Sequence, residues 1–277
     1  MTYCRAVRKG EHFLRENGIE EAGTDAWLLL SFVCGIDRNF YYMHMQTEMP
    51  EERQKRYTEL LQKRAKRVPL QYITEEQEFM GFRFLVDSDV LIPRQDTEIL
   101  VEEALKRIRP GMDVLDLCTG SGCIIISILK NIPEICALAA DISAKALCVA
   151  EKNARLHGVS VRFLESDLFS GVQGSFDVIV SNPPYIPTKE IKKLMPEVRD
   201  FEPRLALDGK EDGLFFYRRI IEEGKKHLKP GGFLLFEIGC SQGEEVSFLM
   251  RQAGYRETVT VKDLAGLDRV VIGGNHV

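Results

Sequence analysis

The sequence predicts an α/β fold: a seven-stranded, mostly parallel sheet with an antiparallel last strand, preceded by a small N-terminal helical domain and a β-hairpin linker. Three observations predict it. Beyond residue 95, strand-like and helix-like patterns alternate, which implies parallel strands covered by helices on both faces. The last two strand patterns, 257–262 and 268–273, are joined by only five residues, too few for a parallel crossover, so that pair is antiparallel. Residues 1–75 show helical periodicity alone.

The elements follow in order. A first helix spans 3–17, with Gly18 as its stop. A second follows Thr24 or Asp25 as N-cap and carries Trp27, Leu28, Leu29, Leu30 and Phe32 before Gly35. A third starts at Pro50, with Tyr57, Leu61, Ala65 and Val68 at three- and four-residue spacing, and Pro69 breaks the pattern. Phe82, Phe84 and Val86 then alternate with Arg83, Leu85 and Asp87. Asp87-Ser88-Asp89 turns this strand into Val90-Leu91-Ile92, giving a hairpin. Further strands are expected at 113–117, 135–140, 161–165, 176–181 and 232–237, and helices at 97–108, 123–130, 144–157, 213–228 and 242–253. The expected domains are a helical, substrate-docking domain at 1–75, the hairpin linker at 76–94 and a catalytic domain at 95–277.

Composition narrows the class. The chain has 277 residues, 44% of them hydrophobic, which suits a folded protein of one large and one small domain. The longest apolar runs, 123–129 and 233–238, fall far short of the roughly 18 residues that span a bilayer. The first residues lack the apolar core and cleavage site of a secretory signal, and the seven cysteines show no paired spacing. A cytoplasmic protein with reduced thiols is expected, and no metal site, because Cys118 and Cys123 have no second pair or nearby histidines. The net charge of −5 is uneven: residues 1–70 hold 12 Lys/Arg against 10 Asp/Glu, the rest 25 against 32. The basic runs at 53–56 and 63–67 read either as a solvated helix face or as a docking surface. The acidic larger part argues against a duplex nucleic acid as substrate.

The chemistry begins at Ser181-Asn182-Pro183-Pro184-Tyr185, after the apolar run 176–180. Two prolines cannot continue a ladder, so the strand stops and presents Asn182 on a stiff, extended segment. An amide, carbonyls without competing N–H groups and an aromatic ring suit a planar amide or amine; the same residues also suit a proline-stiffened loop. Asp113-Val-Leu-Asp-Leu-Cys-Thr-Gly-Ser-Gly-Cys is a strand entering a glycine-rich turn before a helix. Only Gly120 and Gly122 of a G-x-G-x-x-G pattern are present, with Ile125 at the third place, which favours a ligand with an amino-acid tail over a diphosphate. Asp141 ends the second strand, where an acid can accept both hydroxyls of a ribose, or can cap the following helix. Asp167 ends the third and could receive an exocyclic amine, with Leu168 over a purine face. Four strand ends converging on one crevice fit the ligand position of an open α/β sheet.

These residues resemble the class I S-adenosylmethionine-dependent methyltransferases of the Asn/Asp-Pro-Pro-Tyr type, and within them the HemK/PrmC family of peptide chain release factor glutamine methyltransferases. The resemblance rests also on Leu91-Ile-Pro-Arg-Gln-Asp-Thr-Glu98, Asp116-Leu-Cys-Thr-Gly-Ser-Gly122, Glu202-Pro-Arg-Leu-Ala-Leu207, Glu211-Asp-Gly-Leu214, Glu237-Ile-Gly239 and Asp268-Arg-Val-Val271. The chain departs from the pattern at Glu75, Cys118 and Lys210, each where the family usually has glycine. The resemblance implies a Rossmann-like catalytic sheet and transfer of a methyl group to the glutamine side-chain nitrogen of a Gly-Gly-Gln motif. It implies S-adenosylmethionine as donor, without metal, and release factors as partners of a monomeric enzyme. Asn182, Pro183, Pro184 and Tyr185 would hold the substrate amide. Cys118, Thr119, Gly120, Ser121, Gly122, Asp141, Asp167, Leu168 and Asn182 would bind the donor. Arg94 and Thr97 would order the entrance, or else serve as a salt bridge and a helix cap. Two rival readings share the motif: an adenine-amino methyltransferase acting on nucleic acid, which predicts a basic channel, and a cofactor-binding module without catalysis.

Overall fold

In the computed structural model of the chain, which describes residues 1–275, the first helix starts where the Thr2 hydroxyl accepts a hydrogen bond from the Arg5 amide at 3.3 Å. His276 and Val277, the end of the expected 95–277 domain, lie outside the described residues. Five helices, α1 (Tyr3–Glu16), α2 (Ala22–Cys34), α3 (Arg38–His44), α4 (Glu51–Ala65) and α5 (Leu70–Thr74), form one unit together with residues 195–201. Leu14, Ala26, Leu29, Leu30 and Leu60 are fully buried in its core. Each such leucine contributes roughly 1.5–3 kcal/mol relative to exposure. α1 comes so close to α4 that a Cβ on Gly10 would stand 2.2 Å from the Tyr57 hydroxyl, which donates to the Ala26 carbonyl at 2.9 Å.

Three features of this unit differ from the sequence reading, one of them the short helix α5 that follows Pro69. α2 starts at Ala22, ahead of the expected cap at Thr24 or Asp25. Asp25 is instead buried and accepts from Arg64 Nε at 2.7 Å, so its carboxylate is committed to packing and not to a helix end. α3 was not foreseen, although its start carries a signal: Asp37 accepts from the Phe40 amide at 2.7 Å as N-cap.

The second unit holds residues 76–194 and those from 202 onward. Its hairpin pairs β1 (Glu76–Phe79) with β2 (Phe82–Leu85), antiparallel. This corrects the expected pairing of the 82–86 strand with 90–92, a segment that forms no strand. The turn is Met80-Gly81, with φ of 53° and 73°. Positive φ at both central positions matches the twist of a two-residue hairpin, so the partner of β2 is the segment before it. After α6 (Glu98–Leu105) come β3 (Asp113–Leu117), α7 (Cys123–Asn131), β4 (Cys136–Asp141), α8 (Ala144–His157), β5 (Arg162–Glu165) and β6 (Phe176–Ser181). Then follow α9 (Phe215–His227), β7 (Leu228–Glu237), α10 (Gly243–Gln252), β8 (Arg256–Lys262) and β9 (Asp268–Gly274).

Among the described residues, β3 to β9 make one seven-stranded sheet in the order β5-β4-β3-β6-β7-β9-β8. The first five strands are parallel, while β9 runs antiparallel to both β7 and β8. Successive side chains feed opposite cores. Val114, Ala139, Val178, Val180 and Leu235 pack with α6 and α7, and Leu115, Leu138, Ile179, Leu234 and Phe236 with α9 and α10. Strands buried on both faces read as near-continuous apolar runs, which is why their ends were legible.

Glu75, Cys118 and Lys210, where glycine was expected, all have positive φ, of 61°, 60° and 71°. The backbone of this chain thus keeps the left-handed turns at these places and carries a side chain in a conformation that costs an L-residue roughly 1–2 kcal/mol.

Candidate active site

The strand order reverses between β3 and β6, and there the two strands part. Leu117 pairs with Ser181, whose buried hydroxyl donates to the Leu117 carbonyl at 2.8 Å. From this point residues 118–122 and 182–185 diverge, opening a cleft of about 300 Å³ where ligands of open α/β sheets bind.

The first wall is the glycine turn. Gly120 and Gly122 have φ of 55° and 78°, for different reasons. A Cβ on Gly120 would meet nothing within 4 Å, leaving room against its backbone for a ligand, whereas one on Gly122 would press on Ile126 and Ala150 at 3.0 and 3.1 Å. Asp141, at the end of β4, accepts from the Gly120 amide on Oδ2 and from the Ser143 amide on Oδ1, both at 2.9 Å. It does not cap α8; Ser143 does, accepting from Ala146 at 3.2 Å. Burial raises the Asp141 pKa, and these backbone N–H groups oppose the shift. The turn is braced from behind by fully buried Asn153, which donates to the carbonyls of Ser121 and Leu85 at 2.9 and 3.0 Å and accepts from the Leu85 amide at 2.7 Å.

At the third strand end, Leu168 lies buried with φ of 50°. Ser166 holds this turn: its hydroxyl donates to the Leu168 carbonyl at 2.8 Å and accepts from the Gly171 amide at 2.9 Å. Asp167 also lines the cleft, with its carboxylate gripped by both terminal nitrogens of Arg219, at 2.9 and 3.1 Å.

The fourth wall starts at Asn182. Its Nδ2 points to the Thr97 hydroxyl at 3.4 Å, while its Oδ1 accepts no hydrogen bond from the described residues. Pro183 and Pro184 are buried. The Tyr185 hydroxyl donates to Glu237 Oε1 at 3.2 Å, and its carbonyl accepts from Gln242 at 3.1 Å. Ile186 and Thr188 then pair with 207–210 through bonds of 2.8 to 3.0 Å. Gly209 and Gly213 press on this segment: a Cβ on either would come within 2.7 and 2.3 Å of the Tyr185 backbone. Neither position admits a side chain without displacing Tyr185.

The cleft therefore gathers Arg94, Thr97, Cys118, Thr119, Gly120, Ser121, Asp141, Asp167, Leu168, Asn182 and Pro184. Gly122, Pro183 and Tyr185 adjoin these residues in sequence without lining the cleft by their own side chains. Thr97 is buried at the start of α6 without capping it by its side chain, and Arg94 is ion-paired to the buried Glu202. The sequence reading missed Ser166, Asn153, Phe215, Phe216 and the part played by Glu237. Ser166 sits inside the Glu165-Ser166-Asp167 motif and could have been found there; the others carry no local signal. Among the described residues no cluster of His, Cys, Asp or Glu could hold a metal ion, and no helix is long and apolar enough to cross a membrane.

Asp116 lies beneath the turn, fully buried, with Oδ2 accepting from the Thr119 hydroxyl at 2.6 Å and Oδ1 without a well-formed partner among the described residues. Burial pushes its pKa up from 3.8 to about 7. Between those values the unfolded chain is ionised while the folded one keeps its proton, so the group's contribution to stability falls as pH rises and is constant above about 7. Asp116→Asn lacks this titration. The unfolding free energy of the wild type minus that of Asp116→Asn should drop by on the order of 2–4 kcal/mol from about pH 4.5 to 7.5. Denaturant titrations at the two pH values measure it, and a flat difference would show that Asp116 ionises normally.

Residues 5–74 match the family described as the PrmC N-terminal domain, and residues 94–198 the family described as the methyltransferase small domain. The chain is 44% identical to the release factor glutamine methyltransferase of Geobacter sulfurreducens, over 94% of this chain and 92% of that one. It is 43% identical to the protein of the same name from Clostridium acetobutylicum, over 96% of each. A methyltransferase from Pyrococcus furiosus shares the fold with a TM-score of 0.54 at 18% identity, over 72% of this chain and 91% of that one.

Proposed function

The chain belongs to the release factor glutamine methyltransferase family, and we propose that it methylates the side-chain nitrogen of the glutamine in the Gly-Gly-Gln motif of peptide chain release factors, with S-adenosylmethionine as donor. The observation that carries the reading is the state of Asn182: its Nδ2 is committed to Thr97 and its Oδ1 is left to accept, at the mouth of a cleft whose opposite walls suit a nucleoside.

The residues present fit the donor. Asp141 spends one lone pair of each oxygen on a backbone N–H and keeps others for a pair of ribose hydroxyls. Gly120 leaves its backbone open to close approach. Leu168 offers an apolar surface to a purine, and Asp167 would take an exocyclic amine in exchange for Arg219. When bound, S-adenosylmethionine supplies an electrophilic methyl group on a sulfonium whose leaving group is neutral and needs no acid.

What the chain must do is orient a poor nucleophile. The lone pair of a glutamine amide nitrogen is delocalised into its carbonyl. Asn182 Oδ1 and the Pro183 carbonyl would accept the two N–H bonds, fixing the nitrogen in place and stabilising the positive charge that grows on it. Pro183 and Pro184 cannot compete, because neither has a backbone donor. The proton leaves after alkylation, when the nitrogen has become acidic, so no strong base is required. Tyr185, tied to Glu237 and wedged against Gly209 and Gly213, keeps the segment from yielding.

Incubation with labelled S-adenosylmethionine and, in parallel, a release factor, the same factor with its Gly-Gly-Gln glutamine changed to alanine, and a DNA duplex tests the proposal. Label on the intact factor alone is expected. Label on DNA would favour the adenine-amino reading, and label on neither a binding module.

A further inference from the structure

Among the described residues six charged side chains line the cleft, and five of them are engaged. Asp167 and Arg219 bind each other, Arg94 binds Glu202, Asp89 binds Lys145 at 3.3 Å, and Asp141 accepts from two backbone amides. The sixth, Lys210, is exposed and forms no ion pair among the described residues. Asp208, close by, is met instead by the Thr188 hydroxyl and Arg204, at 2.5 and 3.4 Å. No ion pair joins Lys210 to Glu211, the next residue. The Lys210 carbonyl accepts from the Thr188 amide at 2.8 Å, three residues past Tyr185. The lysine therefore belongs to the segment that would hold the acceptor, and not to the turns at 118–122 and 166–168 that suit the donor. Lys189, beside Thr188, is exposed and also lacks an ion pair, because Glu190 is held by Lys193 at 2.8 Å. The Lys210 backbone has φ of 71°, a region that glycine enters freely and that other residues enter under strain. The local fold thus favours no side chain at 210, yet the position carries a long cation facing the cleft.

We propose that Lys210 selects the acceptor protein: its ammonium takes a carboxylate that lies within a few residues of the target glutamine in the acceptor's sequence. The inference rests on the reading of 182–185 as the holder of the glutamine amide. A protein carboxylate fits better than a phosphate backbone. Nucleic acid would need a row of free cations, whereas the other two cations of the cleft, Arg94 and Arg219, are already paired and the chain beyond residue 70 carries an acidic excess. A single exposed charge at the rim acts on encounter and partner choice more than on chemistry. Lys210 therefore governs how well an acceptor is held, and leaves the methyl-transfer step itself unchanged.

Lys210→Gly tests this with the fold intact, because glycine relieves the left-handed backbone and the unfolding midpoint should not fall. The KM for release factor is expected to rise about 3- to 10-fold at low salt with kcat unchanged, the pattern of lost uniform binding to a partly shielded charge. The difference should shrink at about 0.5 M salt, and Lys210→Arg should keep the wild-type KM. Release factors carrying a single Asp or Asn at each position within about four residues of the glutamine, a reach set by about 3.4 Å per extended residue, locate the carboxylate. Wild type should prefer Asp at one of these positions, and Lys210→Gly should lose that preference. An unchanged KM in Lys210→Gly, or an Asp preference that survives it, overturns the proposal. So does weaker S-adenosylmethionine binding with an unchanged KM for the factor, which would assign the lysine to the donor. Inhibition by a short single-stranded RNA that Lys210→Gly relieves would assign it to a phosphate and also overturn the proposal. In each of these cases an inactive Asn182→Ala leaves the amide-holding reading standing, whereas wild-type turnover in Asn182→Ala overturns both.

Discussion

Replacing Asn182 by alanine is expected to lower kcat on the order of 100-fold or more at saturating cofactor, and to leave the fold intact. The side chain is half-buried at the end of β6 and makes one contact of 3.4 Å to Thr97, so its removal costs little packing. What is lost is the acceptor that fixes the substrate nitrogen and that meets the charge developing there. An amide nitrogen has almost no nucleophilicity to spare, so the enzyme depends on geometry more than an amine methyltransferase would. Single-turnover methylation of a release factor, with cofactor affinity measured separately, checks the prediction. A loss confined to cofactor affinity would place Asn182 in the donor site only, and near-full turnover would remove the amide-holding mechanism altogether.

The legible part of this protein was the part written locally. β3 and β6 could be bounded to the residue, and α8 from Ala144 to His157, because apolar strands buried on both faces end abruptly at polar turns and because Gly158 stops the helix. The strand ends Cys118, Asp141, Asp167 and Asn182 could be assigned to one crevice from strand alternation alone. What failed was pairing and long-range bonding. The alternation of 82–86 says that a strand exists but not which neighbour it takes, and Met80 in a left-handed turn hides the hairpin signal. Glu237 looks like one more charged residue after an apolar run, and its meaning lies in a tyrosine 52 residues away. The three positions without the expected glycine are visible in the sequence as departures, but the left-handed turn that each marks is written in the backbone alone. In the sequence Arg64 belongs to a basic run that suits either a solvated or a docking face. It is instead buried, bound to Asp25 at 2.7 Å and to Glu197 at 3.0 Å, the latter 133 residues on.

That cluster sets the second large effect. Arg64, Asp25 and Glu197 have side chains only 10%, 9% and 11% exposed, and Arg67 adds a bond of 3.2 Å to Glu197. Arg64→Leu leaves two carboxylates buried with one flanking cation, and should destabilise the helical unit by about 3–5 kcal/mol near neutral pH, because an uncompensated buried charge costs more than the intact pair contributes. The cost should depend on pH in a definite sense. Burial already raises the Asp25 pKa against the pull of Arg64, whereas Arg64 and Arg67 leave that of Glu197 lowered despite its burial. Without Arg64 both carboxyls move up, the variant takes up protons earlier on acidification, and its deficit shrinks as pH falls. Unfolding of wild type and variant at about pH 5 and 8 would measure this, read by the fluorescence of Trp27, the only tryptophan and a residue of this unit's core. Adding Asp25→Asn and Glu197→Gln to Arg64→Leu should recover part of the loss at pH 8, because neutral amides are cheaper to bury than carboxylates. A deficit below about 1 kcal/mol at pH 8 would match a solvated surface pair and would return Arg64 to the exposed basic face that its neighbours in sequence suggest.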